Sequence, residues 1–384
     1  MRRHATAVST RWILRYLRVD DSWGASVARD AARALASTVS TERAAKNARF
    51  NIVGFCSPPP TPFASWRGFA VGSHRAEHDI RANRGGRGGG ARAQAIELNR
   101  EIIASRSAGE ILAIVEDRGE SFNGVNVATA VNKLCKVARA RDNLRRDPRY
   151  KHLLELVQKN ANEMNPQEIA NVLNALSKLD AASAAVSREG WSHFSVAAER
   201  HAVAMNAQAV SNTLNAYAEM RKRRPQASAA VTETGWHSLA AATARTAPTM
   251  TNQAIALTVD AAKKLNAFAS AIDDEGWEIL AAAVARMALD FNGQHAVLAL
   301  SAVGWKQELA RSLHRQGGFD ALIGSIERNI DAIRRGYPPD FAKETRKTLR
   351  AIRLIYEHED GAYGDQRLER LRTELQTKPG NRHK

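Results

Sequence analysis

The chain has 384 residues, 44% of them hydrophobic and 25% charged, with a formal charge of +16. Its two cysteines, Cys56 and Cys135, are too few for a disulfide framework or a zinc site, so a reducing compartment is expected. No apolar run approaches the roughly 18 residues of a membrane span, which excludes an integral helical membrane protein.

The positive charge is unevenly spread. Residues 1–92 carry 16 Lys and Arg against 6 Asp and Glu, residues 93–305 carry 23 against 22, and residues 306–384 carry 17 against 12. Net charge alone therefore does not make this a nucleic-acid binder.

The first 19 residues hold five arginines and no acid. Arg11, Arg15 and Arg18 share one helical face, with Ile13, Leu14 and Leu17 around the other. An amphipathic, Arg-rich, acid-poor start is the pattern of an organelle transit peptide, the plainer alternative being a frayed basic tail. Ser57-Pro58-Pro59-Pro60-Thr61-Pro62 and the glycine run 85–90 cannot build a core and predict linker. The Arg-Gly-Gly steps from Arg84 and Arg87 are part of that linker or a small RNA-binding box.

Ordered structure is predicted from about Ile96, with a first helix at Gly109–Asp117 and a second from Gly124. The clearest helix start follows at Met164-Asn165-Pro166-Gln167-Glu168-Ile169. Asn165 stands at the N-cap, Pro166 at N1, Glu168 at N3 for a capping box, and Ile169 at N4 to staple onto Met164. The pattern returns at Phe122-Asn123, Met205-Asn206, Met250-Thr251 and Phe291-Asn292. The N2 residues are Val125, Gln167, Gln208, Gln253 and Gln294, spaced by 42, 41, 45 and 41. An aromatic marker lies 17 residues before each glutamine, at Tyr150, Trp191, Trp236 and Trp277. Two markers in fixed phase predict an all-α array of hairpins, a right-handed α-solenoid, each repeat giving an outer Trp helix and an inner Asn-capped helix. The domain plan is residues 1–92 transit peptide and disordered linker, 93–305 helical repeats, 306–358 a degenerate closing hairpin, and 359–384 a polar tail. One helix near Asp365–Gln376 is expected in that tail.

Most of the repetition has a structural cause. Positions N4, N8 and N11, such as Ile169, Leu173 and Leu176, form the buried stripe, and the tryptophans belong between repeats. A second stripe, N2, N6 and N9, also shares one helical face. It reads Gln167, Asn171, Asn174, then Gln208, Asn212, Asn215, with Gln253 and Gln294 continuing the N2 row. Asparagine is a poor mid-helix residue, so its recurrence implies either a ladder bridging repeats or a face turned to a ligand. Amides in such a row can pair with base edges of single-stranded RNA. Basic residues gather after the inner helices: Lys136, Arg139, Arg141, Arg145 and Arg146 after the first, Arg221-Lys222-Arg223-Arg224 after the third, Lys263-Lys264 after the fourth. The helix dipole accounts for one or two cations per helix; the surplus predicts an edge that contacts phosphates. No phosphate loop, zinc-protease motif or nucleophile elbow occurs, and Asp273-Asp274-Glu275 reads as a helix start rather than a metal site. No enzyme, catalytic residue, metal or cofactor is expected.

Met164–Leu179, Met205–Met220, Phe122–Leu134 and the lead-in Asn99–Ile114 resemble octotricopeptide-type repeats. Related arrays occur in FAST-kinase-like proteins and in the RNA-editing substrate-binding complex of kinetoplastids. The resemblance implies single-stranded RNA binding, to an organelle transcript or rRNA, in the mitochondrial matrix or alternatively the chloroplast stroma. It would support transcript stability, processing, editing or translation, with RNA-processing or ribosomal proteins as further partners and neither membrane nor small-molecule substrate. The period is longer than is usual for that family, and no RAP domain follows. Leu173-Asn174-Ala175-Leu176-Ser177-Lys178 is also similar to the SKWP repeats of bacterial plant-pathogen effectors, with Leu179-Asp180 where Trp-Pro would stand. That keeps open a protein-interaction scaffold, an organelle ribosome-associated subunit or an effector.

Overall fold

The computed structural model describes residues 89–139, 142–179, 183–334, 341–359 and 365–376, all within one compact unit. The segment expected to be a transit peptide, the proline-rich and Arg-Gly-Gly segments and Arg141 lie outside the described residues.

Each of the five inner helices that carry the repeated start signal begins with the cap its sequence promises. In the helix Pro166–Lys178, the Asn165 side chain accepts from the N–H groups of Gln167 and Glu168, each at 3.0 Å, and Glu168 accepts from the Asn165 N–H at 2.8 Å. Asn123, Asn206, Thr251 and Asn292 cap theirs the same way, onto the N–H three residues on. Each cap satisfies a donor the helix cannot pair itself and contributes about 1 kcal/mol. The outer helices that start at Arg188, Glu233 and Asp274 are capped by Ser187, Thr232 and Asp273, which accept from Gly190, Gly235 and Gly276 at 3.0, 2.9 and 2.8 Å. Asp273 is thus a helix cap, with Asp274 and Glu275 in the first turn. Among the described residues no group of His, Cys, Asp and Glu could hold a metal ion, and no helix is long and apolar enough to cross a membrane.

The inner layer runs through α1 (Gly89–Ala104), α3 (Gly124–Val137), α5 (Pro166–Lys178), α7 (Ala207–Met220), α10 (Asn252–Lys264), α13 (Gly293–Val303) and α17 (Phe341–Glu359), each packed on the one before. The outer layer runs through α2 (Ala108–Arg118), α4 (Pro148–Asn160), α6 (Arg188–His201), α9 (Glu233–Thr246), α12 (Asp274–Met287) and α15 (Gly318–Arg328). Short helices α8 (Pro225–Ala229), α11 (Asn266–Ala271) and α14 (Gln307–Arg315) follow inner helices, and α16 (Ile330–Arg334) joins α15 to α17. The last helix, α18 (Asp365–Gln376), packs on α17 and α16. The architecture is an all-helical two-layered repeat. Helix begins at Gly89, seven residues before the expected Ile96, and α1 supplies an inner helix ahead of the first full hairpin.

The core explains the markers. Ile169, Leu173 and Leu176, with Val210, Leu214 and Tyr217 on the next helix, are fully buried. Tyr150, Trp191, Trp236 and Trp277 are buried as well. Trp236 sits between repeats, its ring edge-on to Tyr217 of α7 at 5.7 Å and tilted against Phe268 of α11 at 6.2 Å. Alanines such as Ala170, Ala175, Ala209 and Ala216 are buried where helices meet, which lets neighbouring backbones approach. Gly318, one residue before Phe319, shows that constraint most sharply: a Cβ there would lie 2.4 Å from the Ala285 Cβ and 2.9 Å from its Cα.

Candidate functional site

Positions N2, N6 and N9 share one face of each inner helix, and successive inner helices pack on one another. Gln167, Asn171 and Asn174 on α5 are half-buried, Gln208 on α7 is exposed, and Gln253 and Gln294 are half-buried. Asn212 and Asn215 are more covered, each 9% exposed. One hydrogen bond joins two of these amides, from Gln167 Nε2 to Asn171 Oδ1 at 3.1 Å within the same helix. Among the described residues none of these side chains bonds to a neighbouring repeat, so they form no asparagine ladder. Asparagines do bridge repeats, but at other positions. Asn126 donates to the Ala95 carbonyl at 2.8 Å, Asn252 to Asp290 at 3.0 Å and Asn329 to Phe291 at 3.2 Å.

The basic residues divide into two groups. Lys136, Arg139, Arg145 and Arg146 are exposed around the end of α3, and Arg221, Lys222 and Arg223 are exposed after α7. Arg221 also donates to the Lys264 carbonyl at 2.7 Å, closing the C-terminus of the next inner helix, and the half-buried Arg224 donates to the Arg223 carbonyl at 2.6 Å. Lys263 and Lys264 belong to the second group, whose charge is already matched. Lys264 lies 2.8 Å from Glu219 of α7 and 2.8 Å from Asp260 of its own helix. Burial works against its charge, but Asp260 and then Glu219 outweigh that and hold the ammonium above its ordinary range. Lys263 lies 2.9 Å from Glu344 of α17 and also bonds the Ser301 hydroxyl of α13. The hydrogen bond from Lys263 keeps the Glu344 carboxyl below the usual range. These two lysines cross-link inner helices, which removes them from the candidate phosphate contacts.

A basic residue absent from that set completes the row. N13 lies on the same face as N2, N6 and N9; it is Lys136 on α3, Lys178 on α5, Glu219 on α7 and Lys264 on α10. Lys178 is exposed. Its signal in the sequence is the N2–N6–N9 register extended by one turn, since a lone lysine forms no cluster of charge.

A second unrecognised series holds the layers together. Nine residues after each outer aromatic stand Lys159, Arg200, Arg245, Arg286 and Arg328. Arg200 donates to the Asn162 carbonyl at 2.9 Å, and Arg245 to Ala202 and Met205 at 3.0 and 2.7 Å. Arg286 donates to Ala247 and Met250 at 3.0 and 3.4 Å, and Arg328 to Leu289 at 3.0 Å. Each reaches the turn that joins outer to inner helix in the repeat before. Lys159 instead meets Glu120 at 3.3 Å. The four arginines thus cap backbone carbonyls of the preceding repeat.

A family model described as a protein of unknown function (DUF1601) matches residues 151–173, which span most of α4 and the first part of α5. No curated protein matches the chain. The match covers part of one hairpin and names no activity.

Proposed function

We propose that this chain binds single-stranded RNA in an organelle, the mitochondrial matrix or alternatively the chloroplast stroma, as a right-handed α-solenoid of octotricopeptide type. Its task on this reading is to support the stability, processing, editing or translation of an organelle transcript. One observation carries the reading. The amides recur at the same positions of successive packed inner helices, and among the described residues none is consumed by bonds between repeats. Polar groups that share a helix face and make no bond to the next repeat are suited to base edges. The exposed cations at the ends of α3 and α7 are suited to the backbone of the same strand. Filter binding with a random-sequence RNA pool, repeated across salt concentrations, tests it: affinity should fall steeply as salt rises, and absence of binding at low salt would end the proposal.

A scaffold for a protein partner is the rival, and a specific observation favours it. Val203 and Leu289 occupy the same place in the turns of two repeats and are 74% and 65% exposed. A chain that works only through that edge should show no salt-dependent RNA binding in the same assay.

A further inference from the structure

The amide row changes character along the array. At N9 the residues are Asn132, Asn174 and Asn215 on α3, α5 and α7, then Asp260 and Ser301 on α10 and α13. At N6 they are Thr129, Asn171 and Asn212, then Leu257 and Leu298. Polar groups thus give way to leucines at N6 beyond α7. The break falls where the ion pairs begin: Glu219 and Asp260 hold Lys264, and Ser301 and Glu344 hold Lys263. Beyond α7 the face is therefore neutralised and cross-linked. Before it, Asn132, Asn171 and Asn174 are half-buried, while Lys136 and Lys178 are exposed at the same end of adjacent helices. Burial raises the half-buried Cys135 thiol above its ordinary range, and the charges of Lys178 and Lys136 partly oppose that, so both act in its neighbourhood.

We propose that the RNA track is confined to the first three repeats, with the phosphate backbone crossing α3 and α5 over Lys136 and Lys178, beside Cys135. Asn132, Asn171 and Asn174 then face the bases, and α10 and α13 are closed to the strand. This rests on the RNA-binding reading and narrows it. A two-cation span of the backbone, with about one base per helical repeat, implies a footprint of roughly three to four nucleotides.

The test is the salt dependence of binding of the random-sequence RNA pool to the full chain. Each phosphate contact in a single strand contributes about 0.7 to the slope of log affinity against log salt. The Lys136→Gln/Lys178→Gln variant should lose about 1.4 from that slope, so that a fourfold rise in salt costs the wild type about sevenfold more affinity than the variant. Lys264→Gln should leave the slope unchanged and lower the melting temperature. In a Cys56→Ser background, bound RNA should slow alkylation of Cys135 severalfold. Binding with a slope indifferent to Lys136 and Lys178, or with Cys135 equally reactive, overturns the assignment of the track while RNA binding itself stands. No binding by the wild type overturns both. A variant that fails to melt cooperatively is replaced by the single substitutions, each expected to remove about 0.7.

Discussion

Arg245→Met tests whether the outer-layer arginines tie one repeat to the next. The Arg245 guanidinium sends one nitrogen to two carbonyls of the preceding turn, Met205 at 2.7 Å and Ala202 at 3.0 Å. Met205 and Ala202 are buried, so water cannot replace the lost donor freely. The two acceptors are not equal. Ala202 keeps the Met205 N–H at 3.3 Å, whereas the Met205 carbonyl is the acceptor left stranded. A hydrogen bond to a charged group is worth about 1.5–3 kcal/mol. Methionine preserves the aliphatic packing of the stem and removes only the donor. For a domain of this size that energy corresponds to a fall in melting temperature of roughly 3–10 °C. In a repeat array the loss should concentrate at one junction, so amide exchange should quicken in α6, α7 and α9 before it does so in α13. Lys222→Met, at an exposed position after α7, is the control. Equal melting temperatures and equal exchange for Arg245→Met and Lys222→Met would refute the idea that these arginines join the repeats.

Gly318→Ala should destabilise by about 1–3 kcal/mol, because the added methyl meets the Ala285 backbone rather than a mobile side chain; Gly190→Ala, which meets the flexible Gln158 amide at 2.8 Å, should cost less in the same denaturant titration. Asn174→Leu and Asn215→Leu should weaken RNA binding without lowering the melting temperature, since no repeat-to-repeat hydrogen bond is lost; a drop in stability with binding intact would make the asparagines structural. The hydrogen bonds from Arg367 at 2.6 and 2.8 Å hold the Glu327 carboxyl below its ordinary range. A carboxylate lowered on folding adds stability above its unfolded value, near 4.3, and loses it as pH falls through the folded one. Glu327→Gln should therefore lower the melting temperature at pH 7, and the difference from the wild type should shrink as pH falls below the unfolded value, read as loosening of α18.

The hairpin repeat was legible because its signals are local. Asn165, Pro166 and Glu168 specify a helix start through bonds spanning two or three residues, and the structure places those bonds as expected. The aromatic at the matching outer position is equally plain, since a large ring recurring at one phase of a helical repeat must be buried the same way each time. The closing segment was harder to read. Phe319 replaces the tryptophan, no Asn-Gln start precedes α17, and yet both layers continue through α15 and α17. Packing on a preformed neighbour can replace a strong start signal, and that information is not local.

The function of a repeated polar residue, by contrast, depends on what lies forty residues away. Lys136 and Lys264 occupy the same N13 position and cannot be told apart by helix-end reasoning. Lys264 faces Glu219, the residue that replaces lysine on the helix before it, and becomes a strut. Lys178 has Lys136 in that place, so two like charges stand on adjacent helices with no acid between them in the register. Adjacent like charges disfavour the empty array and favour any polyanion laid across it. The informative pattern is therefore the sequence of signs along one register, positive, positive, negative, positive, rather than the number of cations at each helix end. Exchanging the sign at one point tests that logic. Glu219→Lys should release Lys264 from one of its two acids and extend the positive row by a repeat. RNA affinity should rise and its salt slope steepen, while the junction between α7 and α10 loses stability; a slope that stays flat would show that position in the register does not govern where the strand binds.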